Sequence, residues 1–209
     1  MSQGIFITME GPDGSGKSTQ IAILKEYLEN EGFDVLITRE PGGTKISEAI
    51  REIILNKDFT EMSPVTEMLL YASARAQLIN EVIGPALEKG QAVISDRFVD
   101  SSLVYQGIAR GLGVETVYGV NKNAIGKYMP DVTFLLDLPA EVGIARKKGQ
   151  KELDRMELEG LEFHLSVAQG YRDMAERFPD RIRTIDATKP VDEISSLIKT
   201  KVSDILKSA

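Results

Sequence analysis

The sequence predicts an α/β protein built on a five-stranded parallel sheet with helices on both faces. Two observations support this fold class: short apolar runs alternate with longer amphipathic stretches, and several of the breaks between them carry Gly or Pro. Strands that are apolar on both faces and alternate with helices are typical of a parallel sheet covered on each side. A length of 209 residues fits one such unit, so we expect a single domain over 1–209.

Five apolar runs bounded by turn residues are the candidate strands, and they span 5–10, 33–38, 91–95, 132–137 and 181–186. The stretches between them have helical spacing and predict helices at 17–31, 44–56, 64–89, 101–128, 139–148, 157–178 and 190–207. Ligands of such sheets bind beyond the carboxyl ends of the strands. We therefore expect functional residues just after the strands, at Arg39-Glu40-Pro41, Asp96-Arg97, Asp137 and Asp186-Ala187-Thr188.

The loop after the first strand reads EGPDGSGKST from Glu10 to Thr19 and fits the pattern G-x-x-x-x-G-K-[ST]. Such a loop turns backbone N–H groups toward phosphate, and the following helix aims its free N–H groups at the same anion. Lys17 adds a charge for the β- and γ-phosphates, and the Ser18 hydroxyl can reach Mg²⁺. A strand before and a helix after predict a P-loop NTPase three-layer fold. The predicted ATP-binding residues here are Gly11, Pro12, Asp13, Gly14, Ser15, Gly16, Lys17, Ser18 and Thr19.

Composition excludes several other functions. A net charge of -7 argues against a general nucleic-acid binder, which needs a basic face. The chain has no cysteine and a single histidine, His164, so Cys-based and His-rich metal sites are excluded. The N-terminal apolar run is too short for a signal peptide or a membrane span. We expect a cytoplasmic protein whose partners are small molecules, without nucleic acid or membrane.

Two classes of P-loop protein compete: a phosphotransferase acting on small molecules, and a nucleotide switch or motor. A GTPase switch needs Asn-Lys-x-Asp, and the segment 121–124 lacks the Asp. A motor ATPase would usually end a strand in Asp-Glu, whereas the third strand ends in Asp96-Arg97. Asp96 could orient water on Mg²⁺ and Arg97 could grip a phosphoryl group, although a surface ion pair is the alternative.

Asp13 favours the phosphotransferase. A carboxylate inside an anion-binding loop is unfavourable unless it faces a donor, such as a hydroxyl of a second substrate. A turn-forming Asp before Gly14 is the alternative interpretation.

Over essentially its whole length the chain resembles the thymidylate kinases, most of all the bacterial type. The matching segments are 10–19, 38–44 (TREPGGT), 71–75 (YASAR), 96–102 (DRFVDSS), 105–107 (YQG) and 153–155 (LDR). The resemblance implies phosphoryl transfer from ATP to dTMP, giving dTDP and ADP, with Mg²⁺ as cofactor and a homodimer supported by the apolar faces of helices 64–89 and 114–128. Two alternatives remain: a kinase for another nucleoside monophosphate such as dUMP or a purine, and a P-loop switch protein.

The resemblance also implies roles for individual residues of the dTMP site. Asp13 would accept a hydrogen bond from the 3′-hydroxyl, Arg51 and Arg97 would clamp the monophosphate, and Tyr71 would stack on the thymine. Arg75 and Ser102 would bind its polar edge, and Tyr105 would exclude a ribose hydroxyl. The full predicted set is Asp13, Arg39, Pro41, Arg51, Tyr71, Arg75, Arg97, Ser101, Ser102, Tyr105 and Gln106.

A lid at about 143–156 is the last implied feature. Its basic run, 146–151, would bring positive charge to the transition state, because loop positions 12–15 carry none. Arg146 could instead stack on adenine beside Ala187 and Thr188. Asp154 and Glu157 are either lid-orienting groups or ordinary surface acids. The predicted catalytic residues are Lys17, Asp96, Arg97, Arg146 and Lys148, and the predicted metal-site residues are Ser18 and Asp96.

Overall fold

A computed structural model describes residues 4–147 and 153–208, and within these ranges five strands form one parallel sheet. The strands, in the spatial order β2-β3-β1-β4-β5, are β1 (Phe6–Glu10), β2 (Val35–Arg39), β3 (Ala92–Asp96), β4 (Val132–Asp137) and β5 (Ile182–Asp186). The predicted five-stranded parallel sheet is confirmed. Four of the five strands begin one or two residues later than the apolar runs indicated.

The α-helices of the described chain alternate with the strands. They are α1 (Lys17–Asn30), α2 (Lys45–Leu55), α3 (Pro64–Leu78), α4 (Gly84–Glu88), α5 (Val99–Ser102), α6 (Val114–Ile125), α7 (Ala140–Lys147), α8 (Leu161–Arg177) and α9 (Val191–Ser208). A π-helical turn at Ile79–Ile83 joins α3 to α4, and a second at Leu103–Ala109 continues α5. No helix in the described ranges is both long enough and apolar enough to cross a bilayer.

Two helix predictions are wrong in extent. The helix expected over 101–128 is interrupted at residues 110–113, because Gly111 and Gly113 adopt positive φ angles of 74° and 85° that end the helical path. The helix expected from residue 157 begins at Leu161 instead. Asp154 holds the preceding turn, since its Oδ1 accepts the backbone N–H groups of Met156 and Glu157 at 2.9 Å each.

Apolar side chains pack on both faces of the sheet, which confirms the three-layer arrangement. On one face Ile7 and Ile94 pack with Leu24 of α1 and Ile198 of α9. On the other face Phe6, Val93 and Leu135 pack beneath α3, α6 and α8, with Leu78, Val117 and Tyr171 among the buried side chains. Alternate residues of β1 therefore serve opposite layers, as the pleat of a strand requires.

Because all five strands run the same way, their carboxyl ends share one edge of the sheet. Met9 and Arg39 both lie opposite Asp96 in the register of the central strands. The phosphate loop after β1, the segment after β2 and the Asp96-Arg97 pair after β3 are thereby brought together, as the sequence predicts.

Candidate active site

A cavity of about 620 Å³ opens at this edge of the sheet, and most of the predicted site residues line it. Those on its wall are Asp13, Gly14, Gly16, Lys17, Ser18, Thr19, Arg39, Pro41, Arg51, Tyr71, Arg75, Asp96, Arg97, Ser101, Ser102, Tyr105, Gln106 and Arg146. The wall also carries Glu40, which was expected to be functional because it follows a strand, and the two acids left undecided, Asp154 and Glu157. Three further wall residues had no predicted role, namely Leu55, Phe98 and Met156.

The remaining predicted residues are not on the wall. Gly11, Pro12 and Ser15 are buried within the phosphate loop, and a Cβ on Gly11 would lie 2.5 Å from the carbonyl oxygen of Leu136, so close packing requires glycine there. Ala187 and Thr188 follow β5 and do not line the cavity, and their contact with adenine stays a prediction. Lys148 lies outside the described residues.

The Lys17 amine sits inside the phosphate loop. Its Nζ donates hydrogen bonds of 3.1 Å to the carbonyl oxygens of Gly11 and Pro12. Burial, together with the nearby charge of Arg97, lowers the pKa of Lys17 to about 8, although Asp13 opposes the shift. The amine is therefore mostly cationic at neutral pH and placed for an anion in the loop.

Arg97 is fixed from several directions. Its backbone has φ 70°, which turns the side chain from the end of β3 toward the loop. Nη2 donates to Asp13 Oδ1 at 2.7 Å, while Nη1 donates to the hydroxyls of Tyr171 at 2.8 Å and Ser101 at 3.2 Å. The guanidinium also lies 5.3 Å from the centre of the Tyr105 ring. Arg97 thus compensates the carboxylate that made Asp13 unusual in an anion-binding loop.

Glu10 and Tyr171 support Arg97, and sequence analysis missed both roles. Glu10 Oε1 accepts the backbone N–H of Phe98 at 2.7 Å, and Oε2 accepts the hydroxyls of Ser101 at 2.6 Å and Tyr171 at 2.8 Å. Burial and the neighbouring Asp100 raise the pKa of Glu10. A glutamate at the end of a fully buried strand was the available signal, but the loop pattern begins one residue later, at Gly11.

The cavity wall also holds Arg75, a buried arginine of α3. Arg75 is 1% exposed and its Nε donates to Glu40 Oε1 at 3.1 Å and Oε2 at 2.8 Å, while Nη2 donates to the same carboxylate. Nη1 donates to Ser102 at 3.1 Å and to Asn121. Burial raises the pKa of Glu40 to about 7, even though Arg75 opposes the shift. Tyr71, one turn earlier on α3, lines the same cavity, as the predicted shared helix face requires.

Arg39 and Arg51 contribute positive charge from the β2–α2 region. Arg39 Nη2 donates to both carboxylate oxygens of Glu48 at 2.9 Å, and Glu48 also accepts the backbone N–H of Gly43 at 2.7 Å. Arg51 Nη1 donates to the carbonyl oxygen of Pro41 at 2.8 Å. With Arg75, Arg97 and Arg146, the cavity wall therefore carries five arginines from four parts of the chain, which suits an anionic ligand beside the phosphate loop.

Helix α7, which overlaps the start of the lid predicted at about 143–156, meets the phosphate loop through the backbone at Gly143 and the side chain of Arg146. A Cβ built on Gly143 of α7 would lie 2.3 Å from the carbonyl oxygen of Asp13, and one on Gly14 would lie 2.7 Å from that of Gly143. One turn later, Arg146 Nη1 donates to the carbonyl oxygen of Gly14 at 3.0 Å. Two glycines thus permit a contact that sets where Arg146 stands relative to the loop.

A phosphate loop beside an arginine-lined cavity, at the carboxyl edge of a parallel sheet, defines a P-loop phosphotransferase. The family model for thymidylate kinase matches residues 9–198. The thymidylate kinase of Geobacillus thermodenitrificans is 52% identical to the chain, in an alignment that covers 92% of this chain and 87% of that protein. The thymidylate kinase of Clostridium novyi is 47% identical, in an alignment that covers 95% of this chain and 98% of that protein. The crystal structure of thymidylate kinase from Ehrlichia chaffeensis is 30% identical, with a TM-score of 0.75 over 98% of this chain and 99% of that one.

The chain therefore belongs to the thymidylate kinase family, nucleoside monophosphate kinases that phosphorylate dTMP to dTDP with ATP. The predicted family, enzyme class and reaction are confirmed.

Gly143→Ala should displace α7 from the phosphate loop, because the added methyl group has no room against the carbonyl oxygen of Asp13. We expect kcat to fall about tenfold or more, with KM for dTMP little changed, since Arg146 would move away from the loop. Steady-state kinetics measure both constants. Gly119→Ala is the matched control, as a Cβ there meets nothing within 4 Å. Equal kcat values in the two variants would contradict the role of this contact.

Proposed function

We propose that ATP places its phosphates in the loop at 11–18 while dTMP occupies the adjoining part of the cavity, between Tyr71 and Tyr105. The Arg97–Asp13 contact carries this proposal. It sets one cation beside both the phosphate loop and the aromatic wall, where two phosphates would meet. Arg51 and Arg39 supply further charge for the acceptor phosphate, and Arg75 and Ser102 supply polar groups for the base.

The chemistry then depends on position and charge rather than on a strong base. The acceptor of a monophosphate kinase is already an anionic phosphate oxygen, so no side chain needs to remove a proton from it. Lys17 and Arg97 would stabilise negative charge on the transferring group, and Arg146 together with Lys148 would add charge from the lid side. Holding the two phosphates in line supplies much of the remaining acceleration.

The residues present also fit a magnesium ion. Asp96 Oδ1 is a buried atom with no hydrogen-bond partner among the described residues, and Ser18 lines the same cavity. The described residues hold no group of three or more His, Cys, Asp or Glu side chains able to bind a metal, which suits an ion that keeps most of its water. Ser18 would be the direct ligand and Asp96 would orient a bound water. When bound, the ion would neutralise charge on the ATP phosphates.

A homodimer and a cytoplasmic location complete the proposal. Exposed apolar side chains recur on three neighbouring helices, at Ile46 and Ile53 of α2, Val65 and Leu69 of α3, and Tyr118 of α6. Such a surface suits burial against a second copy of the chain. The cytoplasm is proposed because both substrates are multiply charged nucleotides.

Direct assay tests the proposed function. The protein, ATP and Mg²⁺ are mixed with dTMP, dUMP, dGMP or the ribose analogue of dTMP, and diphosphate formation is followed. We expect the highest kcat/KM for dTMP, because the cavity offers an aromatic wall, polar base contacts and several cations together. Faster turnover of another monophosphate would reassign the acceptor. Slow ATP hydrolysis at a rate that no added monophosphate changes would indicate a switch protein instead.

The pKa of Lys17 predicts a loss of activity in alkali. A pKa lowered from 10.5 to about 8 leaves the amine about nine-tenths protonated at pH 7 and about one-tenth at pH 9. We expect kcat/KM for ATP to fall about tenfold across this interval, since this constant reports ionisation of the free enzyme. A Lys17→Arg variant keeps its charge, so its residual activity should not fall in the same way. A flat wild-type profile would refute the need for this charge.

The dimer prediction is tested by light scattering after size exclusion at micromolar concentration. The wild type should elute with the mass of two chains, and Leu69→Glu should elute with the mass of one, because a charge buried in an apolar interface is costly. Leu197→Glu is the control, since Leu197 is comparably exposed on α9, away from this surface. A wild type of single-chain mass would remove this part of the proposal.

A further inference from the structure

A buried carboxylate outside the cavity wall connects several of the elements that form it. Glu67 on α3 is 1% exposed. Its Oε1 accepts from Gln106 Nε2 at 2.9 Å and from Arg110 Nε at 3.2 Å, and its Oε2 accepts from Arg155 Nη2 at 2.6 Å and from Arg110 Nη2 at 3.1 Å. Burial alone would raise the pKa of Glu67, but hydrogen bonds from Arg110 and Gln106 lower it. Glu67 is therefore an ionised hub with donors on both oxygens.

Arg155 links this hub to the end of α2. Its Nε donates to the carbonyl oxygen of Ile54 at 2.8 Å, and its backbone N–H donates to that of Leu55 at 3.2 Å. The last carbonyls of a helix lack partners within the helix, and a cation is favourable there. Helix α2 has no basic residue in its own last turn. Arg155, a hundred residues further along the chain, therefore caps α2.

The elements held in this way carry the side chains that face the predicted dTMP site. Arg51 lies one turn before Leu55 on α2, and Tyr71 lies one turn after Glu67 on α3. Gln106 bonds Glu67 directly. These side chains line the cavity, whereas Glu67 and Arg155 do not.

We propose that Arg155, acting through Glu67 and the end of α2, is a positioning residue for the acceptor nucleotide. The inference rests on the proposed placement of dTMP. One guanidinium holds α2 with Arg51, α3 with Tyr71, and Gln106 at fixed separations. In the described part of the chain, Arg155 contacts Ile54, Leu55 and Glu67 and not the phosphate loop. Loss of the Arg155 guanidinium should therefore weaken the binding of dTMP more than the binding of ATP. Arg155 lies near the end of the segment predicted as the lid, 143–156, so these contacts also hold that end of the segment.

Arg155→Met tests this proposal, since it keeps the aliphatic stem and removes every side-chain hydrogen bond. We expect KM and Kd for dTMP to rise about tenfold or more while KM for ATP changes less than about twofold. Arg155→Lys keeps the charge but not the planar fork, and should recover part of the dTMP affinity. Arg177→Met is the matched control, because Arg177 pairs with Glu115 at the surface and lies off the cavity wall.

A double-mutant cycle shows whether Arg155 acts through the carboxylate. Glu67→Gln should also weaken the binding of dTMP. The Kd of the double variant for dTMP should exceed that of the weaker-binding single variant by no more than about twofold. Additive losses would overturn the role of Glu67. If Arg155→Met does not fold, as judged by circular dichroism, Arg155→Lys decides: an unchanged ratio of the two KM values refutes the proposal.

Failure of the inference is distinguishable from failure of the proposed function. A wild-type protein that binds dTMP, combined with Arg155→Met kinetics equal to those of Arg177→Met, would overturn the positioning role alone. A wild-type protein that binds no dTMP by calorimetry would overturn the proposed placement and this inference with it. A fall in melting temperature without a change in the KM ratio would reduce Arg155 to a purely structural residue.

Discussion

The ion pair between Arg97 and Asp13 joins the phosphate loop to the rest of the cavity, and the surrounding structure holds it in place. A largely buried guanidinium is unfavourable unless its donors are satisfied. Asp13 accepts one, while Tyr171 and Ser101 accept others and are themselves bonded to Glu10. The chain of contacts therefore runs from the loop through Arg97 to the buried end of β1. Disturbing any member would alter the position of the charge that faces the cavity.

Local pattern was sufficient to predict the sheet, most helices and the phosphate loop. A strand that is buried on both faces consists mostly of apolar residues, so it stands out from the polar segments around it. The loop pattern is specific because its glycines let backbone N–H groups face a phosphate and its lysine adds a positive charge. The convergence of Arg39 and Asp96 with the loop also followed, since parallel strands share one carboxyl edge. Most of the residues named by resemblance line one cavity, whereas Ala187 and Thr188 do not and Lys148 lies outside the described residues. The roles of the individual residues stay predictions.

Contacts between residues distant in sequence were not predictable. Glu10 and Tyr171 are 161 residues apart, and the sequence around either residue does not predict its contact with the other. The same holds for Glu67, which draws Arg110 and Arg155 from separate segments. The break in the expected helix over 101–128 lies at Arg110–Gly113. Helical spacing of apolar residues hid that break, although Gly111 and Gly113 were visible signals of it.

The arginines of the cavity differ in the free energy needed to separate them from their partners in the protein, and this difference suits them to different roles. Arg75 and Glu40 are both buried, so separating them would leave a charge unpaired in the interior at a cost of about 3–5 kcal/mol. Arg39 and Glu48 are 53% and 40% exposed, and a pair of that kind is worth roughly 0–1 kcal/mol. An incoming phosphate could therefore draw Arg39 away from its partner easily, whereas Arg75 can serve a ligand only through a donor in its present position. Arg75 suits recognition of a fixed group such as a base, and Arg39 suits an incoming phosphate for which it must change partner.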